Sequence, residues 1–272
     1  MKNPLFLNTG IFGNFPVELK LEASKAADFD LVEVRREDCE AIAGGAREIS
    51  RICAGLDLGI ASVMVLRDAV GIPRDMVQAK RAEALAMFEI ALELGTDCVQ
   101  VPSNALANAD RRWADDDFRW LAEEAGRRSL RVAYEALSWA KLDRPLVEAH
   151  SRVARLGAAN VGIELDLFHH FVHGSSQEDL DAVSIDNIFQ IQLSDLPADI
   201  DIAGDDALIF AARHRRVLPG DGHFALRGAV SRLRDRGFVG PIGIEVFSDE
   251  IREMNPSQVA IDAMRSLACL LA

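Results

Sequence analysis

Short β-rich runs alternate with longer amphipathic stretches along the whole chain, and this alternation restricts the fold more than any other feature. The candidate strands are Leu5–Asn8, Leu31–Arg35, Ile60–Val65, Cys98–Val101, Leu130–Glu135, Val161–Asp166, Ile188–Leu193 and Ile242–Val246. Between them, apolar residues recur at helical spacing in Ala79–Leu94, Trp113–Arg127, Leu146–Leu156, Leu226–Arg236 and Val259–Leu271. Gly95, Gly157 and Gly237 each close a helical stretch just before the next strand. Eight strands, each followed by a helix or a helical loop, suit one α/β domain over residues 1–272, folded as a single-domain (β/α)8 barrel. An open doubly wound sheet is the rival. No glycine-rich phosphate loop follows the first strand, which counts against that rival, and periodicity alone leaves closure undecided.

Charge and composition narrow the partners. The net charge is −13 and the pI is near 4.9, so the phosphate-facing basic surface of a nucleic-acid binder is not expected. Apolar residues make up 49% of the chain, enough for a sizeable core, yet no run approaches the ~18–20 residues of a membrane span. The start, MKNPLFLNTGIFGNF, has no long apolar h-region and no small-residue cleavage site, so a cytoplasmic protein is expected. Cys39, Cys53, Cys98 and Cys269 form no CxxC pair and receive no role.

The polar residues at the strand ends carry the chemistry. In a barrel the site lies at the C-terminal ends of the strands. The fifth candidate strand ends on Glu135 and the sixth on Asp166; the seventh closes with Gln192 and then Asp195, and the eighth holds Glu245. Neighbouring strands in a barrel bring such side chains together. Three carboxylates and an amide oxygen suit a hard or borderline divalent ion, Mg²⁺ or Mn²⁺, with Co²⁺ and Zn²⁺ also open. Without a cation the like charges would repel and raise one another's pKa values. Taken singly, each of the four is as well explained as a loop-start residue; together they read as a metal site. His169 follows Asp166 by three residues and stands as a base or a supporting imidazole, whereas His170 and His173 read as solvated loop residues. Glu164 shares the inward parity of Asp166, and Arg131 that of Glu135, so an ion pair between Arg131 and Glu164 is expected inside the barrel.

Several segments then give a family resemblance: FDLVEVRRED, LGTDCVQVPSN, RVAYEALSWA, GIELDLFHH, IFQIQLSD, RRVLPGDGHF and GPIGIEVFSDE. Over almost the whole length the chain resembles the xylose-isomerase-like TIM-barrel superfamily of sugar isomerases and epimerases. The resemblance implies metal ligation by Glu135, Asp166, Gln192 and Glu245, a histidine at His169, and a family arginine at Arg216. Within that superfamily it is most similar to bacterial 3-dehydroshikimate dehydratases, at LRDAVGIP, PSN, YEALSW, QLSDLP, RHRRVLPGDG and EVFSDEIR. It departs from them where Ala140, Lys141 and Leu142 follow Trp139 in place of Gly-Arg-His, where Leu167 replaces a serine, and in the acidic segment ADIDIAGDDALIF, residues 198–210.

Two reactions fit these residues. The first is dehydration of 3-dehydroshikimate or a similar cyclic hydroxy-ketone acid to a catechol acid through an enolate, with His169 as base. Its substrate carboxylate calls for Arg67, Arg213 or Arg216, since a guanidinium grips a carboxylate with two parallel bonds. The second is isomerisation or epimerisation of a sugar or inosose, with Glu135 and Glu245 shuttling a proton. Ser103 and Asn104 either bond a polar ligand or cap their loop, and Trp139 is a candidate pocket wall, as is Phe247. Glu33 matches a recurrent family position as support or contact. A catalytically silent small-molecule-binding barrel would have lost a ligand, and none is lost. A DNA-repair nuclease of the same superfamily would need a histidine-rich multi-zinc cluster, which six scattered histidines do not supply. The expected partner is a small polyhydroxylated substrate, with no nucleic acid and no membrane. Barrels of this type often pair, so a homo-oligomer is compatible with the sequence, although no interface is legible in it.

Overall fold

The computed structural model describes residues 3–272. Eight parallel strands close into a barrel in chain order. They are β1 (Leu5–Asn8), β2 (Leu31–Arg35), β3 (Gly59–Met64), β4 (Cys98–Pro102), β5 (Arg131–Glu135), β6 (Val161–Asp166), β7 (Ile188–Leu193) and β8 (Ile242–Ile244). β1 pairs with β8, Phe6 facing Gly243 in the register, so the open-sheet rival is excluded and the fold is a (β/α)8 TIM barrel. The closure depends on a bare backbone: a Cβ at Gly243 would lie 2.3 Å from the Phe6 ring. β8 ends two residues before the expected Val246, although the Glu245 N–H still donates to Leu193 O at 3.0 Å.

Strand alternation sorts the side chains. Val32, Val34, Val132, Ile163, Leu165, Ile191 and Leu193 are buried on the outward face under the helical ring. Each such side chain contributes about 1.5–3 kcal/mol. The inward face is polar instead: Asn8, Glu33, Ser62, Gln100, Glu164 and Gln190 are all buried. Helices were expected after the middle and later strands, and they form there, as Val77–Leu94, Ala114–Gly126, Leu146–Leu156, Leu226–Asp235 and Pro256–Leu271. Val17–Ala26, Gly45–Leu56 and Gly204–His214 are additional helices, the last lying in the altered acidic segment. Among the described residues no helix is long and apolar enough to cross a membrane.

One expectation fails inside the barrel. Arg131 does not meet Glu164: its guanidinium forks onto Asp97 through two bonds of 2.9 Å and lies 4.8 Å from the centroid of the Phe189 ring. Glu164 is fully buried and, among the described residues, neither carboxylate oxygen has a partner. Parity gave the correct side but not the height. Glu164 stands in register with Glu135, four residues beyond Arg131, which is ~13 Å along a strand. His170 is also not a solvated loop residue; it is buried in the short helix Leu167–Val172, while His173 is exposed.

Candidate active site

Asp166 ends β6 and also caps the next helix: its Oδ1 accepts from Phe168 N at 2.8 Å. Its other oxygen is thereby turned to the barrel axis. There it meets Arg216, whose Nη1 donates to Asp166 Oδ2 at 2.8 Å and to Glu245 Oε2 at 3.0 Å. The guanidinium lies between two rings, 4.1 Å from the Phe168 centroid and 5.5 Å from that of Phe247. Arg216 is thus committed to the two carboxylates rather than free to hold a substrate.

Glu135 closes the group from β5. Its Oε2 accepts from Gln100 Nε2 at 3.0 Å. The same nitrogen lies 3.4 Å from Gln192 Oε1, so the Gln192 amide oxygen is on the Glu135 side. The Gln192 nitrogen is committed to Glu33 Oε2 at 2.7 Å and points to Glu245 Oε1 at 3.4 Å. Glu33 lies beneath and accepts bonds from Asn8, Ser62, Gln190 and Gln192. It fixes the amide orientation and takes no place in the cavity wall. Gln100 and Ser62 were not singled out in the sequence; their inward parity on β4 and β3 is the signal that could have found them.

Burial and mutual repulsion set the charge state. Burial pushes Glu135 well above the carboxylate range, and the Glu245 and Asp166 charges push it further. Burial likewise raises Glu245 to about 8, against the pull of Arg216. Three buried carboxylates share a single guanidinium, too little positive charge to keep all three ionised. That donor set fits a divalent cation, with Glu135, Asp166, Glu245 and the Gln192 oxygen as ligands. Ligand atoms of Glu135, Asp166 and His169 also lie within 4.8 Å of one another.

His169 stands beside this set, its Nε2 3.5 Å from both Glu135 Oε1 and Asp166 Oδ2. Burial holds its pKa down to about 3, so the ring is neutral at neutral pH. Nδ1 is 2.9 Å from Ser138 Oγ, and the Ser138 N–H reaches it at 3.4 Å. The hydroxyl is the closer partner. It can donate to Nδ1 or accept from it according to the ring's tautomer, whereas the Ser138 N–H can only donate. Trp139 meets the imidazole edge-on at 5.0 Å.

Above the carboxylates opens a cavity of about 400 Å³. Glu135, His169, Glu245, Trp139, Ser103 and Phe247 line it. Arg67 and Arg213 also line it, and among the described residues neither has a carboxylate within 4 Å. Ser103 is shared with the frame, since its Oγ accepts from Leu137 N at 2.9 Å. Asn104 belongs to the frame alone. Its amide donates to Val70 O and Gly71 O and accepts from Leu106 N, and it does not reach the cavity. Asp195 is also structural: it accepts from Gly220 N and Phe224 N, and a Cβ on Gly222 would strike it. Arg35 and Arg252 line the cavity without having been anticipated. Two of the stretches that depart from the dehydratase pattern meet each other. Asp205 takes Lys141 Nζ at 2.8 Å and Arg144 Nη2 at 2.7 Å, joining helix Gly204–His214 to the loop that carries Trp139.

The xylose isomerase-like TIM barrel family matches residues 21–269, and the chain belongs to it. A 3-dehydroshikimate dehydratase of Pseudomonas putida is 35% identical over 253 residues, which is 92% of this chain and 39% of that protein. An inosose isomerase of Halalkalibacterium halodurans is 29% identical over 111 residues, 41% of this chain and 37% of that protein. A solved xylose isomerase-like TIM barrel/4-hydroxyphenylpyruvate dioxygenase fusion protein superposes with a TM-score of 0.92 at 33% identity, over 99% of this chain and 43% of its own. The chain therefore spans about two-fifths of the length of the dehydratase and of the fusion protein.

Proposed function

We propose that the protein is a divalent-metal-dependent lyase that dehydrates 3-dehydroshikimate, or a close cyclic hydroxy-ketone acid, to a catechol acid. The observation that carries this reading is the pairing of a buried carboxylate set with free arginines above it: Arg67 and Arg213 face the cavity without carboxylate partners, among the described residues. A sugar has no need of them; a carboxylate substrate does. The likeness to the Pseudomonas putida dehydratase supports the same class.

Glu135, Asp166, Gln192 and Glu245 would hold the ion. Bound there, it supplies Lewis acidity for the ketone oxygen as enolate charge develops. Arg67 and Arg213 grip the carboxylate and fix the ring against the Trp139 wall. His169 removes the proton α to the ketone, its ring held in place by Ser138 at Nδ1. The imidazolium so formed lies 3.5 Å from Glu135 and Asp166, which stabilise it. It returns the proton to the departing β-hydroxyl, and water leaves. The remaining ring enolises to the aromatic catechol. Isomerisation is the second reading, favoured by the shorter match to inosose isomerase. There Glu135 and Glu245 shuttle the proton.

The test is a metal-controlled assay. Protein stripped with chelator and restored with Mn²⁺ or Mg²⁺ should convert 3-dehydroshikimate to the catechol acid, followed by ultraviolet absorbance. Glu245→Ala should lower turnover about a thousandfold or more. Metal binding without product would transfer the reading to isomerisation of an inosose or sugar.

A further inference from the structure

The cavity wall carries more guanidinium donors than its own Glu37 and Asp68 and one substrate carboxylate take up. Five arginines line it. Arg216 is committed to Asp166 and Glu245. Arg67 and Arg213 have no carboxylate within 4 Å among the described residues. Arg35 reaches Glu37 at 3.3 Å, and Arg252 reaches only Asp249, at 3.6 Å, beyond hydrogen-bond length. A carboxylate offers two oxygens and takes two guanidinium forks at most. If Arg67 and Arg213 take it, the donors that Arg35 does not spend on Glu37, and those of Arg252, are left over.

These two are brought together by the loop after β1. A Cβ on Gly10 would lie 3.0 Å from Arg35 Cδ and 2.6 Å from the Phe247 ring. A Cβ on Gly13, at φ +57°, would lie 3.0 Å from Arg252 Cβ. The loop is stripped of side chains just where the two arginines and Phe247 pass. Arg252 then stands 5.4 Å from the Phe247 centroid. Both side chains are about a quarter exposed, so they face the cavity rather than bulk water. Burial lowers the Arg252 pKa and the neighbouring Arg35 charge lowers it further, outweighing Asp249. Arg35 gives a single bond to Glu37 on the cavity wall and Arg252 stops 3.6 Å from Asp249, so both guanidiniums keep N–H donors for a further anion.

We infer that Arg35 and Arg252 form a second anion subsite, so that the cavity accepts a second carboxylate or a phosphate group beside the carboxylate held by Arg67 and Arg213. The second group can belong to the same ligand, as in a ring dicarboxylate, or come from a separate small anion. The inference uses the carboxylate grip of the proposed function but not the bond that the enzyme breaks.

Calorimetric titration of the metal-loaded protein separates the cases. Isophthalate should bind about tenfold or more tightly than benzoate, the amount expected for one added charged contact. Arg252→Gln should remove that preference and leave benzoate within about twofold, whereas Arg213→Gln should weaken both ligands. Inorganic phosphate titrated into benzoate-saturated protein should bind without displacing benzoate, and Arg252→Gln should abolish this; that result identifies a free anion as a competent occupant. Arg35→Gln, checked for an unchanged thermal midpoint, repeats the test should Arg252→Gln fold poorly. The inference is overturned if the native protein neither prefers isophthalate nor takes phosphate beside benzoate. It is equally overturned if Arg252→Gln weakens benzoate as much as isophthalate. A protein that passes yet makes no catechol acid loses only the reaction; one that dehydrates its substrate yet fails here loses only the subsite.

Discussion

Asp166 and Glu164 sit two residues apart on β6, both buried and both turned into the barrel, yet they live in opposite chemistry. Asp166 is bonded to a helix N-terminus on one oxygen and to Arg216 on the other. Among the described residues Glu164 has no partner on either oxygen, and burial raises its pKa well above the carboxylate range. The difference lies in height. At the strand end, loops and the next helix bring donors and cations to a carboxylate. One turn of the pleat lower, only the neighbouring strands can reach it, and these present Glu135 and Gln190. Donors and a cation therefore reach a carboxylate at the strand end, whereas beneath it burial suppresses the charged form of Glu164.

The largest effect that can break this comparison comes from removing the cation Asp166 depends on. Arg216→Ala leaves Asp166 and Glu245 buried without their partner. In metal-stripped protein it should cost about 3–5 kcal/mol in urea unfolding. A cost near zero would mean that Asp166 is no better supported than Glu164.

Glu164→Gln sharpens the comparison from the other side. Because the folded pKa of Glu164 is raised above its usual 4.5, its contribution is fully present below pH 4.5 and is lost as pH rises toward the folded value. An amide of the same shape has no such loss. The variant should gain about 1–3 kcal/mol over the native protein at pH 8, and the gain should close as pH falls to 4.5. Chemical denaturation at a series of pH values reads this out. A variant less stable at pH 8 than the native protein would show that the Glu164 charge is needed.

The smallest effect is expected at Asp205. Asp205→Asn weakens a partly exposed pair of contacts to Lys141 and Arg144, so KM should rise about two- to fivefold with kcat little changed. Raising the salt concentration should reproduce that shift in the native protein and not in the variant. A fall in kcat at constant KM would place Asp205 in the chemistry instead.

Much of this was legible in the sequence, and the failures share a cause. Strand ends can be read from pattern, so Glu135, Asp166, Gln192 and Glu245 were found as a group. Parity then put Glu164 inside the barrel. Register could not be read, so Arg131 was given the wrong partner. Side-chain reach was also hidden. Arg216 looked as free as Arg67 and Arg213 until Asp166 and Glu245 were seen to occupy it. Arg35 and Arg252 went unnoticed because the glycines that admit them lie on another loop. Asn104 carries the right atoms for a ligand, but three backbone groups take them. Helix Gly204–His214 was read as an altered acidic stretch; Asp205 and Asp206 in its first turn were the available signal, favourable there against the helix dipole.

Metal content tests the central claim most directly. Native protein, Asp166→Asn and Glu164→Gln would be stripped, reloaded with Mn²⁺, desalted and analysed for bound metal. The account predicts about one ion per chain in the native protein and in Glu164→Gln, and loss of the ion in Asp166→Asn. Full metal retention in Asp166→Asn, or its loss in Glu164→Gln, would contradict it.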